Sequence, residues 1–346
     1  MSLDRHLQRL WYGAFSPWLI LLVPLSWLFA AIVALRRALF RWGLLRSYRL
    51  DVPVIVIGNI TVGGTGKTPF TIWLATRLAA SGRKVGIILR GYGGRATTWP
   101  QRVTRASAWE EVGDEAVLLA RRTDAIVVAG PDRVAAARLA KALGAEIILS
   151  DDGLQHYRLQ RRCEIIVVDG RRGIGNGRLL PAGPLREPRA RLARAQLQVT
   201  TQRGADSQRT IASGVPSVTA RSRLGEAVNL GSGEVRSLAS FTAAPVHAIA
   251  AIGHPEAFFE SLQRAGLDVR GHAYPDHEHL TREHIVFADD AVVLMTEKDA
   301  VKCTAIADCR HWVVHLEVTL SDDDMKVVET LIGPMLGPSR GESDGY

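Results

Sequence analysis

The sequence predicts an α/β protein with a doubly wound parallel sheet, a second, smaller α/β lobe and an N-terminal hydrophobic helix. From residue 52 onward, short runs that are apolar throughout alternate with helical patterns, which is typical of parallel strands covered on both faces. A glycine-rich loop at residues 58–68 follows the first of these runs directly. Residues 10–35 contain no charged side chain.

The uncharged segment 10–35 is long enough to cross the hydrocarbon core of a bilayer, which takes about 20 helical residues. Pro17 and Pro24 could kink this helix or make it re-entrant, and a buried core helix is the alternative interpretation. The basic residues that follow are Arg36, Arg37, Arg41, Arg46 and Arg49. They predict a membrane-anchoring helix whose basic side faces the cytoplasm and contacts anionic phospholipids.

Composition limits the classes of partner and compartment. The 346 residues are enough for two compact lobes, and a net charge of +8 favours an anionic partner such as nucleic acid, phospholipid head groups or a phosphorylated substrate. Cys163, Cys303 and Cys309 form neither a C-x-x-C pair nor an even set, so we expect reduced thiols in a cytosol-facing protein. This pattern argues against a disulfide framework and against a zinc site.

The glycine-rich loop reads Gly-Asn-Ile-Thr-Val-Gly-Gly-Thr-Gly-Lys-Thr over residues 58–68. Its glycines allow backbone N–H groups to surround phosphate oxygens, Lys67 adds a positive charge, and the Thr68 hydroxyl can bind Mg²⁺. The loop predicts a P-loop NTPase-type core that binds a nucleoside triphosphate, although Thr61 stands where the usual pattern has its first glycine. A tight glycine turn is the alternative. The predicted nucleotide-binding residues are Thr61, Val62, Gly63, Gly64, Thr65, Gly66, Lys67 and Thr68.

The remaining core elements follow the same alternation. Predicted strands are residues 54–57, 85–89, 125–128, 146–149 and 165–168, with helices at 69–80 and 133–143. We interpret residues 202–240 as a polar connection to a second unit, which has strands at 246–252, 291–295 and 312–318 and a helix at 255–265. The predicted domains are 1–45 (anchoring helix and basic flank), 46–225 (P-loop core), 226–336 (second lobe) and 337–346 (disordered tail).

Two acidic pairs follow predicted elements of the core. Asp151 and Asp152 end an apolar strand, where a carboxylate typically holds the Mg²⁺ of a phosphate-binding loop. Asp114 and Glu115 open a helical segment, and there the alternative role is helix capping. The sequence alone does not decide which of Asp151 and Asp152 contacts the metal.

Other residues are candidates for contacts to an acceptor. Arg90 and Tyr92 lie in a loop that closes the second strand, and Arg133 lies at a strand-to-helix junction. Residues 169–188, which include Arg186, form a loop too long for a simple turn, so we expect a binding role. Asp276 precedes His277 in the second unit, where a structural histidine is the alternative to a functional one.

Six motifs in order resemble the tetraacyldisaccharide 4'-kinases of lipid A biosynthesis, which are bacterial inner-membrane lipid kinases. These motifs cover residues 58–69, 90–94, 113–115, 151–156, 175–188 and 296–302. In this family too, the first glycine of the loop is displaced from its usual position. Two departures are Ala116, where a proline is common, and His254, which stands where asparagine is usual.

The resemblance implies transfer of the ATP γ-phosphoryl group to the 4'-hydroxyl of a tetraacylated glucosamine disaccharide 1-phosphate, which gives lipid IVA. It implies that Lys67 contacts the β- and γ-phosphates and that Asp114, paired with His277, acts as the general base. The implied Mg²⁺ ligands are Thr68, Asp151, Asp152 and Glu115, and the implied acceptor contacts are Arg90, Tyr92, Arg133 and Arg186. The resemblance implies a Gram-negative inner membrane location with cytoplasmic lobes, and neither a nucleic-acid partner nor an obligate protein partner.

Two other functions remain open on the sequence alone. A membrane-targeted P-loop ATPase of the partitioning type has a similar loop, but its signature lysine is replaced here by Val62. A membrane-tethered nucleotide sensor would bind ATP and phosphorylate no acceptor.

Overall fold

A computed structural model describes residues 3–13, 16–203, 211, 213–276 and 278–336. The N-terminal region forms two helices, α1 (Leu3–Tyr12) and α2 (Trp18–Arg41); the predicted apolar N-terminal helix is confirmed as α2, which begins after Pro17 rather than at residue 10. Pro17 occupies the position that caps α2, where a residue with fixed φ and no N–H favours a helix start. Pro24 lies inside α2 without ending it.

The helices and strands after residue 50 alternate as the sequence predicts. The strands are β1 (Val54–Gly58), β2 (Val85–Leu89), β3 (Gln101–Val103), β4 (Ile126–Ala129), β5 (Ile147–Asp151), β6 (Cys163–Asp169), β7 (Leu197–Arg203), β8 (Ser217–Asn229), β9 (Val235–Arg236), β10 (Val246–Ala250), β11 (Val269–Ala273), β12 (Val293–Thr296) and β13 (His311–Thr319). The helices are α3 (Lys67–Ala80), α4 (Trp109–Val112), α5 (Asp114–Arg122), α6 (Arg133–Ala142), α7 (Pro255–Arg264), α8 (Arg282–Ile285), α9 (Glu297–Cys303) and α10 (Asp322–Leu336), with short 3₁₀ helices at Arg189–Arg194 and Leu238–Phe241.

Within the described residues, thirteen strands form one sheet in the order β11-β10-β12-β13-β8-β7-β6-β1-β5-β2-β4-β3, with β9 paired to β8. The α/β class is confirmed, but the sheet is mixed, because β3 is antiparallel to β4 and β8 is antiparallel to β13 and β9. The strands around β1 are all parallel. Their carboxyl ends therefore meet at one edge, where ligands of doubly wound sheets bind.

About half of the described residues in the segment predicted as a polar connection, residues 202–240, belong to strands. It contains the end of β7, all of β8, β9 and the second 3₁₀ helix. Strand β8 has mostly exposed or half-buried side chains on one face and buried ones at Val218, Ala220 and Ala227 on the other, so its polar residues are compatible with a strand. The predicted domain boundary at 225/226 falls within β8, and one sheet continues through both predicted lobes. The predicted tail at 337–346 lies outside the described residues.

Two apolar layers cover the parallel strands around β1. Helices α3 and α5 pack on one face through buried residues such as Phe70, Leu74 and Leu119, and α6 packs on the other through Val134 and alanines. Helices on both faces fix the strand ends of β1, β2, β4 and β5 relative to one another, and the polar residues that follow these strands therefore lie together.

Candidate active site

The phosphate-binding loop leaves the end of β1 and leads into α3. Gly66 has φ +85° and directly precedes Lys67, the first residue of α3; a Cβ there would lie 2.9 Å from Thr201 Cγ2. Glycine is therefore needed both for the left-handed backbone and for the close approach of β7. The Thr201 hydroxyl donates to the Thr65 carbonyl at 3.0 Å, which holds the loop against that strand.

The first half of the loop is tied to the 169–188 loop. The Val62 N–H donates to the Pro184 carbonyl at 2.8 Å, and Arg186 Nε donates to the Thr61 carbonyl at 3.0 Å. Arg172 Nη2 donates to the Gly64 carbonyl at 2.5 Å. In this conformation the Val62 N–H donates to a carbonyl of the protein and is therefore not available to a phosphate oxygen.

Asp151 lies at the end of β5, beside the first turn of α3. Thr68 Oγ1 donates to Asp151 Oδ2 at 3.2 Å, while Asp151 Oδ1 is buried and has no hydrogen-bond partner among the described residues. Burial and then the charge of Glu115 raise the pKa of Asp151 to about 7. A hydroxyl and a buried carboxylate oxygen without a partner are the donor set expected for a nucleotide-bound Mg²⁺, so these residues fit the ion.

Asp152 has different partners from its neighbour. Its carboxylate lies 3.7 Å from Lys67 Nζ and accepts from Arg186 Nη1 at 3.2 Å, and its φ of +50° is unusual for a non-glycine residue. Burial raises the pKa of Asp152, but Lys67 and Arg186 outweigh that effect and hold the pKa below its usual range. Arg186 Nη2 also donates to Asn59 Oδ1 at 2.7 Å, so Arg186 joins both sides of the loop.

Arg133 is buried next to Asp151 and does not lie on the surface. It opens α6 after the capping residue Asp132, and its guanidinium donates to the carbonyls of Gly130 at 2.9 Å and Asp151 at 3.4 Å. Burial lowers the pKa of Arg133 to about 10. These contacts place its charge under the end of β5.

Asp114 is the first residue of α5 and is buried, with Oδ1 accepting from the Glu115 N–H at 2.8 Å. The capping position itself is Gly113, with φ +91°, where a Cβ would lie 2.4 Å from the Tyr92 carbonyl. The 90–94 loop therefore packs against the start of α5. Arg90 and Tyr92 are exposed on this loop.

Residues from the second lobe approach the same helix. Lys298 Nζ on α9 lies 3.7 Å from Glu115 Oε1 and 3.3 Å from Asp276 Oδ1. His277, predicted to pair with Asp114, lies outside the described residues. A cluster of three or more His, Cys, Asp or Glu side chains able to hold a metal is absent from the described residues.

The comparisons with known proteins agree with one another. A family model described as tetraacyldisaccharide-1-P 4'-kinase matches residues 18–333. This chain belongs to the tetraacyldisaccharide 4'-kinase family. It is 48% identical over 303 residues to the tetraacyldisaccharide 4'-kinase of Alkalilimnicola ehrlichii, covering 85% of this chain and 86% of that one. It is 46% identical over 316 residues to that of Nitrosococcus oceani, covering 90% of each chain.

A crystal structure of a family member from Aquifex aeolicus, described as a complex with ATP, shares the fold. The TM-score is 0.77 at 29% identity, and the match covers 91% of this chain and 98% of that one. The resemblance stated from the sequence motifs is therefore confirmed, and membership in the kinase family speaks against the partitioning-type ATPase.

Four further residues of the candidate site were not predicted from the sequence: Asn59, Arg172, Thr201 and Lys298. Asn59 and Arg172 fall inside segments that the sequence indicates as binding loops, so their positions carried a signal. Lys298 lies within the 296–302 motif, one of the six that carry the family resemblance, but no role was predicted for this lysine. In the structure Thr296 Oγ1 donates to Asp299 Oδ2 at 2.6 Å and caps α9, which is a structural use of that motif.

Proposed function

We propose that this chain transfers the γ-phosphoryl group of ATP to the 4'-hydroxyl of a tetraacyldisaccharide 1-phosphate, forming lipid IVA in lipid A biosynthesis. The observation that carries the proposal is the family match over residues 18–333, which includes every residue assigned below. The geometry of the loop and strand ends supports it, since phosphoryl transfer depends mainly on positioning and on charge stabilisation.

Lys67, Thr68 and Asp151 form the phosphate side of the site in this proposal. Lys67 would contact the β- and γ-phosphate oxygens, and Thr68 and Asp151 would hold Mg²⁺, which supplies positive charge to neutralise the phosphates when bound. Asp152 stays paired with Lys67 and Arg186 and orients the lysine. Glu115 was predicted as a metal ligand as well, and its contact with Lys298 supports a neighbouring role at the edge of the metal site.

Asp114 is the proposed general base. It accepts the proton of the 4'-hydroxyl, the alkoxide oxygen bonds to the γ-phosphorus, and the bond to the β,γ-bridging oxygen breaks to release ADP. His277 is proposed to orient this carboxylate. Arg90 and Tyr92 are exposed next to the start of α5 and are proposed to contact the disaccharide. Arg186 is half-buried between Asp152 and the loop, and we retain it as an acceptor contact, whereas the burial of Arg133 supports a positioning role under β5 in place of an acceptor contact.

A cavity of about 250 Å³ adjoins the loop on the side of β6 and β7. Arg172 and Thr201 line it and also bond to the loop carbonyls, while His254 and Arg203 close its far side. Because a nucleotide with phosphates at the loop must extend along these strand ends, we propose this cavity for the nucleoside. An Arg203→Ala variant should raise KM for ATP and leave KM for the lipid acceptor unchanged; an unaltered KM for ATP would remove the assignment.

Helix α2 is proposed to lie in one leaflet of the inner membrane with the catalytic lobes in the cytoplasm. Among the described residues, α2 is the one helix that is both long enough and apolar enough to cross a bilayer, and most of its side chains are exposed. However, Ser26 in its first half donates to the Leu179 carbonyl at 2.8 Å, and Arg37 near its end lies 3.7 Å from Glu187. A spanning helix would carry the 179–187 loop into hydrocarbon, where its backbone groups are costly.

The membrane orientation has a direct test. Single cysteines replacing exposed Trp18 and Leu35 should both react with a reagent confined to the cytoplasmic side, or be protected together by lipid. Labelling of position 18 from the periplasmic side would instead establish a span.

The proposed reaction is tested with purified protein in detergent micelles, γ-labelled ATP and a tetraacyldisaccharide 1-phosphate, with Mg²⁺ or with EDTA. We expect labelled lipid with Mg²⁺ and none with EDTA, and none from a Lys67→Met variant. Hydrolysis of ATP without labelled lipid would favour an ATPase instead.

A further inference from the structure

Lys298 lies where α9 of the second lobe meets α5 of the P-loop core. Its ammonium is 3.7 Å from Glu115 Oε1 on α5 and 3.3 Å from Asp276 Oδ1 in the loop after β11. The side chain is 16% exposed. A cation that is mostly shielded from water therefore lies between carboxylates from two separate parts of the chain.

The start of α9 also contacts the other end of α5, through a pair of the opposite polarity. Arg122 at the end of α5 bonds to Glu297, whose Oε2 also accepts from the Leu316 N–H at 3.1 Å. Arg121 Nη1 donates to Thr304 Oγ1 at 3.0 Å. Since α5 offers an anion at its start and a cation at its end, and α9 offers Lys298 and Glu297 side by side at its start, the two ion pairs specify one register of the helices.

The start of α5 concentrates negative charge. Asp114 and Glu115 are adjacent, and Glu115 is near enough to Asp151 for its charge to raise the pKa of that carboxyl. Burial lowers the pKa of Lys298, but the attraction of Glu115, Asp114 and Asp276 outweighs it, so its pKa is raised and it is charged at neutral pH. Without a cation at this place, Asp276 and the carboxylates of α5 would repel one another across the contact between the lobes.

We propose that Lys298 is a positioning residue for phosphoryl transfer: by bridging Glu115 and Asp276 it fixes the start of α5, and with it Asp114, relative to the second lobe. The inference rests on the proposed function for its catalytic consequence. It predicts an effect on kcat rather than on ATP binding, because Glu115 and Asp276, the two carboxylates that Lys298 bridges, belong to α5 and to the loop after β11 and not to the phosphate-binding loop or α3.

The test compares Lys298→Met, Lys298→Arg and the matched control Lys326→Met, in which an exposed lysine of α10 is removed. We expect Lys298→Met to lower kcat about 10- to 100-fold with KM for ATP within about 3-fold, Lys298→Arg to recover most of the loss, and Lys326→Met to match the parent. A kcat for Lys298→Met within about 3-fold of the parent would overturn the proposal.

A double-mutant cycle with Glu115→Gln separates positioning from general destabilisation. If Lys298 acts through Glu115, the double variant should be little worse than the more damaged single variant, whereas fully additive losses in kcat would contradict the proposal. Amide hydrogen exchange over residues 114–122 gives a readout that needs no lipid substrate. Faster exchange there in Lys298→Met, but not in Lys326→Met, supports the positioning role; unchanged exchange contradicts it.

Measuring both kcat and amide exchange also separates a failure of this inference from a failure of the proposed function. A parent protein that phosphorylates no lipid would defeat the proposed function, and the exchange data would still decide whether Lys298 positions α5.

Discussion

Thr68 Oγ1 and Asp151 Oδ2 lie 3.2 Å apart, which joins the first turn of α3 to the carboxyl end of β5. Strand β1 pairs with β5 so that Ile57 lies opposite Asp151, and the parallel register alone brings the two side chains to the same edge. The neighbouring Asp152 turns toward Lys67 and Arg186 instead. Two adjacent carboxylates thus have separate tasks, since one is buried beside a hydroxyl and the other is paired with two cations.

Replacing Asp151 by asparagine is expected to weaken metal binding. We expect the Mg²⁺ concentration for half-maximal activity to rise about 10-fold or more in Asp151→Asn, because a charged ligand becomes neutral. The exposed Asp124→Asn variant is the control and should behave as the parent. Titration of activity against Mg²⁺ checks this, and an unchanged Mg²⁺ requirement in Asp151→Asn with a raised one in Asp152→Asn would reverse the assignment.

Replacing Asp114 by asparagine is expected to remove the base and leave nucleotide binding intact. We expect kcat to fall by about 10²- to 10⁴-fold, the range typical of a lost general base, with the Kd for ATP within about 3-fold. Glu110→Gln, an exposed carboxylate on α4, serves as the control. Turnover and equilibrium ATP binding are measured on the same preparations, and turnover of Asp114→Asn close to that of the parent would exclude it from the mechanism.

Alanine substitutions at Gly113 and Gly144 distinguish the cost of backbone strain from the cost of a steric clash. Both have positive φ, at +91° and +101°, but a Cβ at Gly113 would lie 2.4 Å from the Tyr92 carbonyl, whereas one at Gly144 meets nothing within 4 Å. We expect Gly144→Ala to cost about 1 kcal/mol in the free energy of unfolding, and Gly113→Ala about 2–3 kcal/mol and most of the activity. Thermal unfolding in detergent compares the two, and equal losses would mean that the Tyr92 contact is unimportant.

The folded protein is expected to lose stability in mild acid through His254. Burial, followed by the charges of Arg172 and Arg203, lowers the pKa of His254 from 6.5 to about 4. Between those values the unfolded chain binds more protons than the folded one, so the free energy of unfolding falls as pH drops from 6.5 to 4. We expect a loss of about 1 kcal/mol from this ring between pH 7 and pH 5, allowing for its partial exposure.

His254→Asn is the matched variant for that effect, since it keeps a polar side chain and removes the titration. Its unfolding midpoint should fall less between pH 7 and pH 5 than that of the parent. The same pH dependence in both proteins would place the effect elsewhere, for example at His156, whose pKa burial also lowers to about 4.

The site could be predicted from sequence where side chains follow strand ends in a continuous motif. Lys67, Thr68 and Asp151 were found in this way, because a glycine loop after one strand and a carboxylate after another meet in any parallel sheet of this order. Lys298 was not, because its partners Glu115 and Asp276 are far away in sequence and belong to other elements. Charge pairs between lobes leave no local pattern in one sequence.

The buried parallel strands could be predicted from the sequence, but the partly exposed strand β8 could not. Buried strands such as β1, which is apolar from Val54 to Ile57, were located within one residue, whereas β8 was interpreted as a connection. Arg221, Arg223 and Glu226 lie on the face of β8 that is largely exposed to solvent. A strand with one solvent-exposed face has a composition similar to that of a loop. Hydropathy indicated the apolar length of α2 but not its first residue, whereas Pro17 marked a position where the helix could be interrupted.

The most direct measurement compares two acceptors that differ only at the reacting atom: a tetraacyldisaccharide 1-phosphate and its 4'-deoxy analogue, each incubated with γ-labelled ATP and Mg²⁺. The account predicts labelled lipid from the first acceptor and none from the second. Equal labelling of both, or labelling of neither while ATP is consumed, would contradict the assignment of this chain as a 4'-kinase.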